Sequence, residues 1–253
     1  LPNSQVTKEG FQLWKSEIIK LKGILENKFE VEITEEDIKK AIKLKNQERQ
    51  ALKNMYEIGK LNPPAMSGMD ILKVLYGSTF KFDKNDTIKE VNELADRVRK
   101  EYEEGRRLDP KPRIVVTGCP IGGVTEKVVK AIEDNGAYVV AFENCMGAKA
   151  IDRLVDESNE DVYDALAEKY LNIGCSCMTP NPNRIDLLSR MIDEYEADGV
   201  VDVILQACHT YAVETLSIKR FVNGEKEIPY MSIETDYSQS DIGQLNTRMA
   251  AFV

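Results

Sequence analysis

Cysteine is the residue type whose chemistry is most distinctive in this sequence, and all five cysteines lie in its second half. They are Cys119, Cys145, Cys175, Cys177 and Cys208. A free cysteine is usually a small buried side chain, and that interpretation applies to each of them taken singly. Taken together they share a placement, because they lie beside glycine or proline at the predicted ends of strands or in loops. This shared placement favours one thiolate-rich site.

The elements that position these cysteines follow from the apolar pattern. Short runs of β-branched and apolar residues predict strands at 113–117, 137–142, 200–206 and 228–233, with helical stretches between them. This alternation is typical of a parallel α/β sheet, whose strands all end at one crevice. Cys119, Cys145 and Cys208 follow the first three strands. The pair Cys175 and Cys177 precedes a helix predicted at 184–195, whose start should face the same crevice.

The first part of the sequence predicts helices. Apolar residues recur at three- and four-residue steps from Phe11 to Leu25, and Thr34 with Asp37 fits a capping box that begins a second helix. Ser67 with Asp70 can cap a third helix. The predicted fold class is therefore α/β, a flavodoxin-like parallel sheet domain preceded by a mainly helical segment. We place the boundary at residue 110, between a helical segment at 1–110 and an α/β domain at 111–253 that contains all five cysteines.

Composition excludes several classes of function. The formal net charge of −9 is unfavourable for binding a nucleic acid backbone, so nucleic acid is not an expected partner. No apolar run approaches the ~20 residues of a membrane span, and no signal peptide opens the sequence. We therefore expect no membrane association and a reducing cytoplasm.

Two properties indicate which metal or cluster such a site would bind: the chemical softness of thiolate sulfur and the spacing of the cysteines in the sequence. Thiolates select zinc, copper(I) or iron–sulfur clusters. Structural zinc usually shows Cys-x-x-Cys pairs, which are absent here, and disulfides are disfavoured in a reducing compartment. An iron–sulfur cluster held by thiolates from separate loops remains. Gly118, Gly147 and Gly174 are the candidate cofactor-binding glycines, because their small size lets the backbone approach a bulky ligand.

Candidate proton donors lie near the last two strands. His209, the only histidine, directly follows Cys208, and Glu214 comes soon after it. Asp236 follows the fourth predicted strand. These residues could supply protons or orient a substrate, whereas the alternatives are a structural histidine and acidic residues that cap a helix. A phosphate cradled by the glycine-rich turn at 118–123 is a further alternative, although this turn matches neither the dinucleotide fingerprint nor the P-loop.

Several motifs together resemble one family. The segments are Val116-Thr-Gly-Cys-Pro-Ile-Gly122, Glu143-Asn-Cys-Met-Gly147, Gln206-Ala-Cys-His209, Ser232-Ile-Glu-Thr-Asp236 and Gly243-Gln-Leu-Asn-Thr-Arg248. They are similar to the D-component family of 2-hydroxyacyl-CoA dehydratases and benzoyl-CoA reductases, and most of all to its anaerobic reductases that contain a double-cubane cluster. The resemblance covers essentially the whole sequence. Family members carry a further N-terminal α/β domain with cluster cysteines, which we expect to be missing here.

The resemblance implies an iron–sulfur oxidoreductase. It makes Cys208 the first-ranked cluster ligand, followed by Cys145, Cys175, Cys177 and Cys119. The implied cofactor is a double-cubane 8Fe-9S cluster or a 4Fe-4S cluster. The implied partners are a separate ATP-hydrolysing iron–sulfur activator, which supplies a low-potential electron, and a small-molecule substrate. The implied assembly is a homodimer.

Two other functions remain open from the sequence. The chain could be a subunit of a 2-hydroxyacyl-CoA dehydratase, or a non-catalytic metal carrier or scaffold that uses its thiolates. Metal content should separate them, since iron and sulfide well above one cubane favour the reductase and loosely held metal favours the carrier.

Overall fold

The computed structural model describes Pro2 and residues 4–119, 122–145 and 147–253. In this part of the chain, four strands form a parallel sheet in the order β2-β1-β3-β4. The first four strands of a flavodoxin-like sheet have the same order. Its strands are β1 (Arg113–Gly118), β2 (Tyr138–Phe142), β3 (Gly199–Leu205) and β4 (Tyr230–Thr235). The predicted fold class is confirmed. Pro120, Ile121 and Met146, which belong to the quoted motifs, lie outside the described residues.

Helices occupy the first part of the chain and the connections between the strands. The first part contains α1 (Lys8–Phe29), α2 (Glu35–Tyr56), α3 (Gly68–Thr79) and α4 (Lys84–Glu103). The second part contains α5 (Gly123–Asp134), α6 (Ala148–Ile151), α7 (Val162–Leu171), α8 (Pro182–Glu194), α9 (His209–Gly224) and α10 (Ile242–Phe252).

The helix starts expected from the sequence have their predicted caps. Thr34 and Asp37 form the capping box at the start of α2, where each side chain bonds to the backbone of the other residue. At α3 the Ser67 hydroxyl accepts a hydrogen bond from the Asp70 amide. These bonds satisfy amide groups that the first turn of a helix leaves without an internal partner.

One large apolar core joins the helices of the first part to the sheet. Tyr56 of α2 and Ile71 and Leu75 of α3 belong to the same buried cluster as the strands. Residues of β1 are buried along the whole strand, as expected for a central strand covered on both faces. Because this core contains side chains from both sides of residue 110, the division into two domains stays a prediction.

Tyr56 covers the edge of the sheet beside the cysteine loops. Strand β2 is an edge strand, so the peptide of its last residue, Phe142, has no strand partner on that side. The Tyr56 hydroxyl accepts a hydrogen bond from the Phe142 amide and donates one to the Phe142 carbonyl. Both residues are buried. Helix α2 thereby fixes the point at which the chain leaves β2 toward Cys145.

We expect Tyr56→Phe to destabilise the fold measurably. The substitution leaves a buried N–H and a buried C=O of Phe142 without their partner, which costs about 1–3 kcal/mol. Urea unfolding followed by circular dichroism measures this free energy. Tyr102→Phe is the matched control, because that hydroxyl donates to the Asn62 carbonyl at an exposed site. Equal losses in the two variants would show that Tyr56 does not secure the strand edge.

Candidate functional site

Three of the cysteines meet where β1, β2 and β3 end. Cys119 and Cys208 are close enough to affect each other's pKa, and Cys145 is close enough to affect the pKa of Cys119. These three thiols are free rather than paired in disulfides. The meeting follows from the strand order, since β1 lies between β2 and β3 and their carboxyl ends share one edge.

Cys208 is the cysteine best prepared to act as a thiolate. It is the N-cap residue of α9, and its sulfur lies 3.7 Å from the Thr210 hydroxyl. Burial alone raises the pKa of Cys208, but the nearby Tyr211 amide, the Thr210 hydroxyl and Cys119 outweigh it, so the pKa lies below its ordinary value. A helix N-terminus stabilises thiolates in this way.

Cys119 has the opposite character. Its side chain is buried, and its sulfur accepts a hydrogen bond of 3.1 Å from the Leu205 amide. Burial, together with the neighbouring Cys208 and Cys145, raises the pKa of Cys119 to about 11. Cys119 therefore holds its proton at neutral pH.

Cys175 and Cys177 form a second thiol group in the loop before α8. Burial, followed by the hydrogen bond to Cys175, raises the pKa of Cys177 to about 11. Cys177 is exposed and Cys175 is half-buried. Among the described residues, no hydrogen bond links this pair to the other three cysteines. By their positions in the fold, three cysteines lie at strand ends and two lie in the loop before α8.

Directly beneath the group of three lies a buried ionic network that the sequence analysis missed. Arg184 of α8 is completely buried and stands at its centre. Its guanidinium lies 3.7 Å from the Glu143 carboxylate, 3.2 Å from Asp202 and 2.6 Å from Glu214. It also donates a hydrogen bond of 3.1 Å to the Thr117 hydroxyl. One side chain thereby connects β1, β3, α9 and the loop after β2.

A second buried cation extends this network to a thiol. The Lys149 ammonium lies 3.0 Å from the Glu143 carboxylate and donates a hydrogen bond of 2.8 Å to the Tyr211 hydroxyl. The Tyr211 hydroxyl lies 3.7 Å from the Cys145 sulfur. Burial, then the negative charges of Cys145 and Glu143, raises the pKa of Tyr211 well above its ordinary value.

Two of the missed residues carried a signal in the sequence. Asp202 interrupts the apolar strand β3, and Glu143 directly follows the apolar strand β2. Both are completely buried. A carboxylate within or beside a run of buried strand residues needs a buried cation, so each predicts a partner without identifying it. Arg184 lies in a polar stretch and Lys149 lies between two alanines, and neither local sequence identifies the residue as a buried cation.

The three candidate glycines are close-packed against the chain's own backbone. A Cβ atom at Gly118, where φ is +113°, would overlap the Val203 carbonyl. At Gly147 it would overlap the Phe142 carbonyl, and at Gly174 it would lie 2.7 Å from the Arg184 amide nitrogen. Packing therefore accounts for these glycines, and their role in cofactor binding stays a prediction.

The three candidate proton donors differ in their surroundings. His209 is exposed in the first turn of α9. The Glu214 carboxylate is engaged on both oxygens, since it pairs with Arg184 and accepts a hydrogen bond of 2.8 Å from Asn181. Hydrogen bonds from the side chain and then the amide of Ser238 lower the pKa of Asp236. Asp236 is thus placed as an anion and Glu214 is held in an ion pair, and the catalytic role of all three residues stays a prediction.

The group of three thiols fits a cluster better than a single ion. In the part of the chain that the structure describes, no three His, Cys, Asp or Glu side chains are close enough together to hold one metal ion. The converging donors are thiols, which are soft ligands, and they lie on separate loops. A cluster suits this set because each of its irons takes its own thiolate.

Comparison with known proteins identifies the family. The whole chain, residues 1–253, matches the family described as 2-hydroxyglutaryl-CoA dehydratase, D-component. The chain belongs to this family. The predicted resemblance is confirmed at this level.

Named members of the family include dehydratases and a reductase. An Escherichia coli protein named "Putative dehydratase subunit YjiM" is 60% identical over 253 residues, which are 100% of this chain and 66% of that protein. A subunit of benzoyl-CoA reductase from Thauera aromatica is 29% identical over 133 residues, 53% of this chain and 30% of its own. The beta subunit of (R)-2-hydroxyglutaryl-CoA dehydratase of Acidaminococcus fermentans is 24% identical over 241 residues, 92% and 61% of the two chains. The chain thus spans about two thirds or less of these relatives' lengths.

Among the described residues, no helix combines the length and the apolar character that crossing a bilayer requires.

We expect Arg184→Gln to be strongly destabilising. It leaves the buried carboxylates of Glu143 and Asp202 without their central cation, and breaking a buried ion pair costs about 3–5 kcal/mol. Arg190→Gln is the control, because its side chain is half exposed and has one ion pair, with Asp152, whose loss costs less than about 1 kcal/mol. Urea unfolding of both variants measures the difference.

The deficit of Arg184→Gln should grow with pH. Burial raises the pKa of Asp202, and Arg184 opposes that rise. Between the unfolded pKa of about 3.9 and the higher folded value, the native state binds more protons, so stability falls as pH rises. Removing Arg184 raises the folded-state pKa of Asp202 further, so this pH range extends to higher pH. The variant should therefore lose more stability, relative to the parent protein, at pH 8 than at pH 5. A deficit independent of pH would exclude Asp202 as its source.

Proposed function

We propose that this chain is the cluster-binding part of an iron–sulfur enzyme that carries out an ATP-activated, low-potential reduction of a small molecule. One observation carries the proposal: Cys119, Cys145 and Cys208 converge at the carboxyl edge of a parallel sheet. In α/β folds this edge is where ligands bind. Three thiols with no disulfide between them suit soft-metal ligation at such an edge.

The protein side of cluster binding follows from the electrostatics of the thiols. Cys208 is held ready as a thiolate by the start of α9. Cys119 must lose its proton before it can bind a metal, so ligation at Cys119 releases a proton and is opposed by low pH. A bound iron–sulfur cluster would supply one-electron transfer at low potential. The buried network around Arg184 keeps the loops that carry the thiols in register.

The division of the thiols into two groups supports a double-cubane cluster. Two linked cubanes that each keep three protein ligands need on the order of six thiolates. This chain has five cysteines, which the structure places as three at the strand ends and two before α8. In the proposal each group serves one cubane, and a remaining thiolate comes from another part of the full-length protein.

The electron source and the substrate are further parts of the proposal. The electron comes from a separate iron–sulfur activator that hydrolyses ATP, and the substrate is a small unsaturated molecule that accepts it near the thiol edge. His209 is the best placed proton donor, because it is exposed beside Cys208 whereas Glu214 is held in an ion pair.

A dehydratase subunit is the second candidate function. The Escherichia coli relative, which is 60% identical, and the Acidaminococcus fermentans relative both carry dehydratase in their names. Both candidates use the same thiol edge, and they differ in cluster size. Iron and sulfide well above four per chain favour the double-cubane reductase, and values near four favour the dehydratase. Metal that a chelator removes readily would instead indicate a carrier or scaffold.

The homodimer also belongs to this proposal. Helix α1 supports it, because Leu13, Leu21, Ile24 and Phe29 are each about half exposed or more. Several exposed apolar side chains on one helix indicate a contact surface. Sedimentation equilibrium of the full-length protein measures the oligomeric state.

We expect Cys208→Ser in the full-length protein to remove iron and visible absorbance together. The protein is purified without oxygen, reconstituted with iron and sulfide, and analysed for both elements. Serine keeps the size of the side chain but binds iron poorly, so a ligand position loses the cluster.

His209→Ala is the neighbouring control. It should retain the iron and sulfide of the parent protein while turnover with the activator falls, as expected for a group that donates a proton without binding metal. A Cys208→Ser protein with undiminished iron would make Cys208 a structural residue and would contradict the proposed ligand set.

A further inference from the structure

A cavity of about 240 Å³ lies between α2, α6 and α8. Its floor is apolar and buried, and it includes Ala148, Ile151, Leu187 and Met191. No cysteine is among the described residues that line this cavity, so it is a separate place from the thiol edge. An engineered apolar cavity of about 150 Å³ holds benzene, so this one has room for a small organic molecule.

Charged side chains form the rim of the cavity, and they are Lys53, Lys60, Arg190, Glu57, Asp152 and Glu194. The Lys60 ammonium lies 3.7 Å from the Glu57 carboxylate and 2.9 Å from that of Glu194. The Arg190 guanidinium lies 2.8 Å from the Asp152 carboxylate. In the described part of the chain the Lys53 ammonium forms no ion pair, and it donates a hydrogen bond of 2.9 Å to the Asp152 carbonyl. One positive charge of the rim is therefore unmatched.

Two buried cations add to the positive charge on this side of α2. Arg49 lies one helical turn before Lys53, and Lys169 is close enough to Arg49 to be affected by its charge. Arg49 and Lys169 are 5% and 4% exposed. Their hydrogen bonds go to neutral groups, which are the side chains of Asn46 and Tyr170 and the carbonyl of Ala150. Among the described residues, neither cation forms an ion pair with a carboxylate.

Buried cations without an anionic partner are unfavourable, so they attract an anion to their surroundings. Burial, followed by the positive charge of Arg49, lowers the pKa of Lys169 to about 8. The chain as a whole has a formal net charge of −9, so this local excess of positive charge is opposite in sign to the rest of the protein. The cavity beside Lys53 gives an anion from solution access to this positive region.

The lining of the cavity determines which anion fits. Its floor is apolar, so the ligand needs an apolar part that displaces water from that surface. The single unmatched ammonium of Lys53 balances one negative charge, and Glu57 and Glu194 at the rim would repel a second one. An ammonium donates short, charge-assisted hydrogen bonds to a carboxylate. A monocarboxylate with a short apolar chain meets all of these conditions.

We propose that this cavity binds a small monocarboxylic acid, whose carboxylate pairs with Lys53 and whose apolar chain packs on Ile151 and Met191. The inference goes beyond the proposed function, because it concerns a second site, which no described cysteine lines. The floor of this site includes part of α6, the helix that also carries Lys149 of the buried network. A ligand in the cavity therefore restrains α6, and through it the support of the thiol edge.

The test uses the full-length protein, purified without oxygen and labelled with carbon-13 in its methionine methyl groups. Met191 lines the cavity, so its methyl resonance, identified with Met191→Leu, reports a ligand at this site. Pentanoate is the probe, because it combines one carboxylate with a short alkyl chain. It should shift the Met191 resonance saturably, with a dissociation constant on the order of 1 mM for a ligand of this size. Met249 of α10, which is buried outside the cavity, should not shift.

Two variants of the rim should change the affinity in opposite directions. Lys53→Gln should weaken pentanoate binding about tenfold, because the ligand loses its charged donor. Glu194→Gln should strengthen binding about twofold to threefold, since it removes a carboxylate of the rim and frees Lys60. Lys89→Gln is the matched control, which makes the same change in net charge as Lys53→Gln at an exposed residue of α4 and should leave the affinity within twofold. Glu194 is also exposed, so its variant decides the question if Lys53→Gln does not fold.

Two further probes test the charge of the ligand. Pentylamine has a similar chain with a positive charge, and it should leave the Met191 resonance unchanged. Norvaline adds an ammonium group to pentanoate and should bind more weakly. Equal binding of pentylamine and pentanoate, or tighter binding of norvaline, would overturn the assignment of a monocarboxylate.

The absence of a saturable shift with pentanoate, or an affinity that neither rim variant changes, would overturn the site itself. In the parent protein, pentanoate should also slow amide hydrogen exchange in α6, and unchanged exchange there would refute the restraint on α6. None of these readouts depends on iron, so they decide this inference separately from the proposed function.

Discussion

The burial of Arg184 is the constraint on which the rest of this structure depends. A guanidinium without access to water must be surrounded by carboxylates, and those carboxylates must in turn be buried. Glu143, Asp202 and Glu214 meet this requirement from three separate parts of the chain. Their positions fix α8 against the sheet and fix α9 and the loop after β2 around it. The cysteines lie at the ends of these same elements, so the ionic network also sets the spacing of the thiols.

The thiols that result are chemically unequal although they are one residue type. Cys208 gains donors from the first turn of a helix, whereas Cys119 is buried beneath it and keeps its proton. Cys145 is exposed but lies against a phenol that a buried lysine orients. This inequality has a physical consequence. Three adjacent thiolates would repel one another, and the proton that Cys119 keeps removes part of that repulsion.

The same framework is compatible with the different activities named among the family's members. Dehydratases and a reductase both occur among the relatives. In this chain the ion pairs and the close-packed glycines lie beneath the thiols, in contact with strands and helix starts, and leave the outer side of the thiol edge to exposed residues such as His209. Differences in reaction can then arise from exposed residues without disturbing the support of the thiol edge.

The sequence by itself determined the parallel α/β sheet, the helix starts at Thr34 and Ser67, and the convergence of Cys119, Cys145 and Cys208. These features depend on local patterns and on the rule that parallel strands end at one edge. Only the tertiary structure decided that Lys149 and Arg184 are buried. A buried charge is specified by contacts between residues far apart in the chain, as between Arg184 and Thr117, so a local stretch of sequence contains only part of the pattern that predicts it.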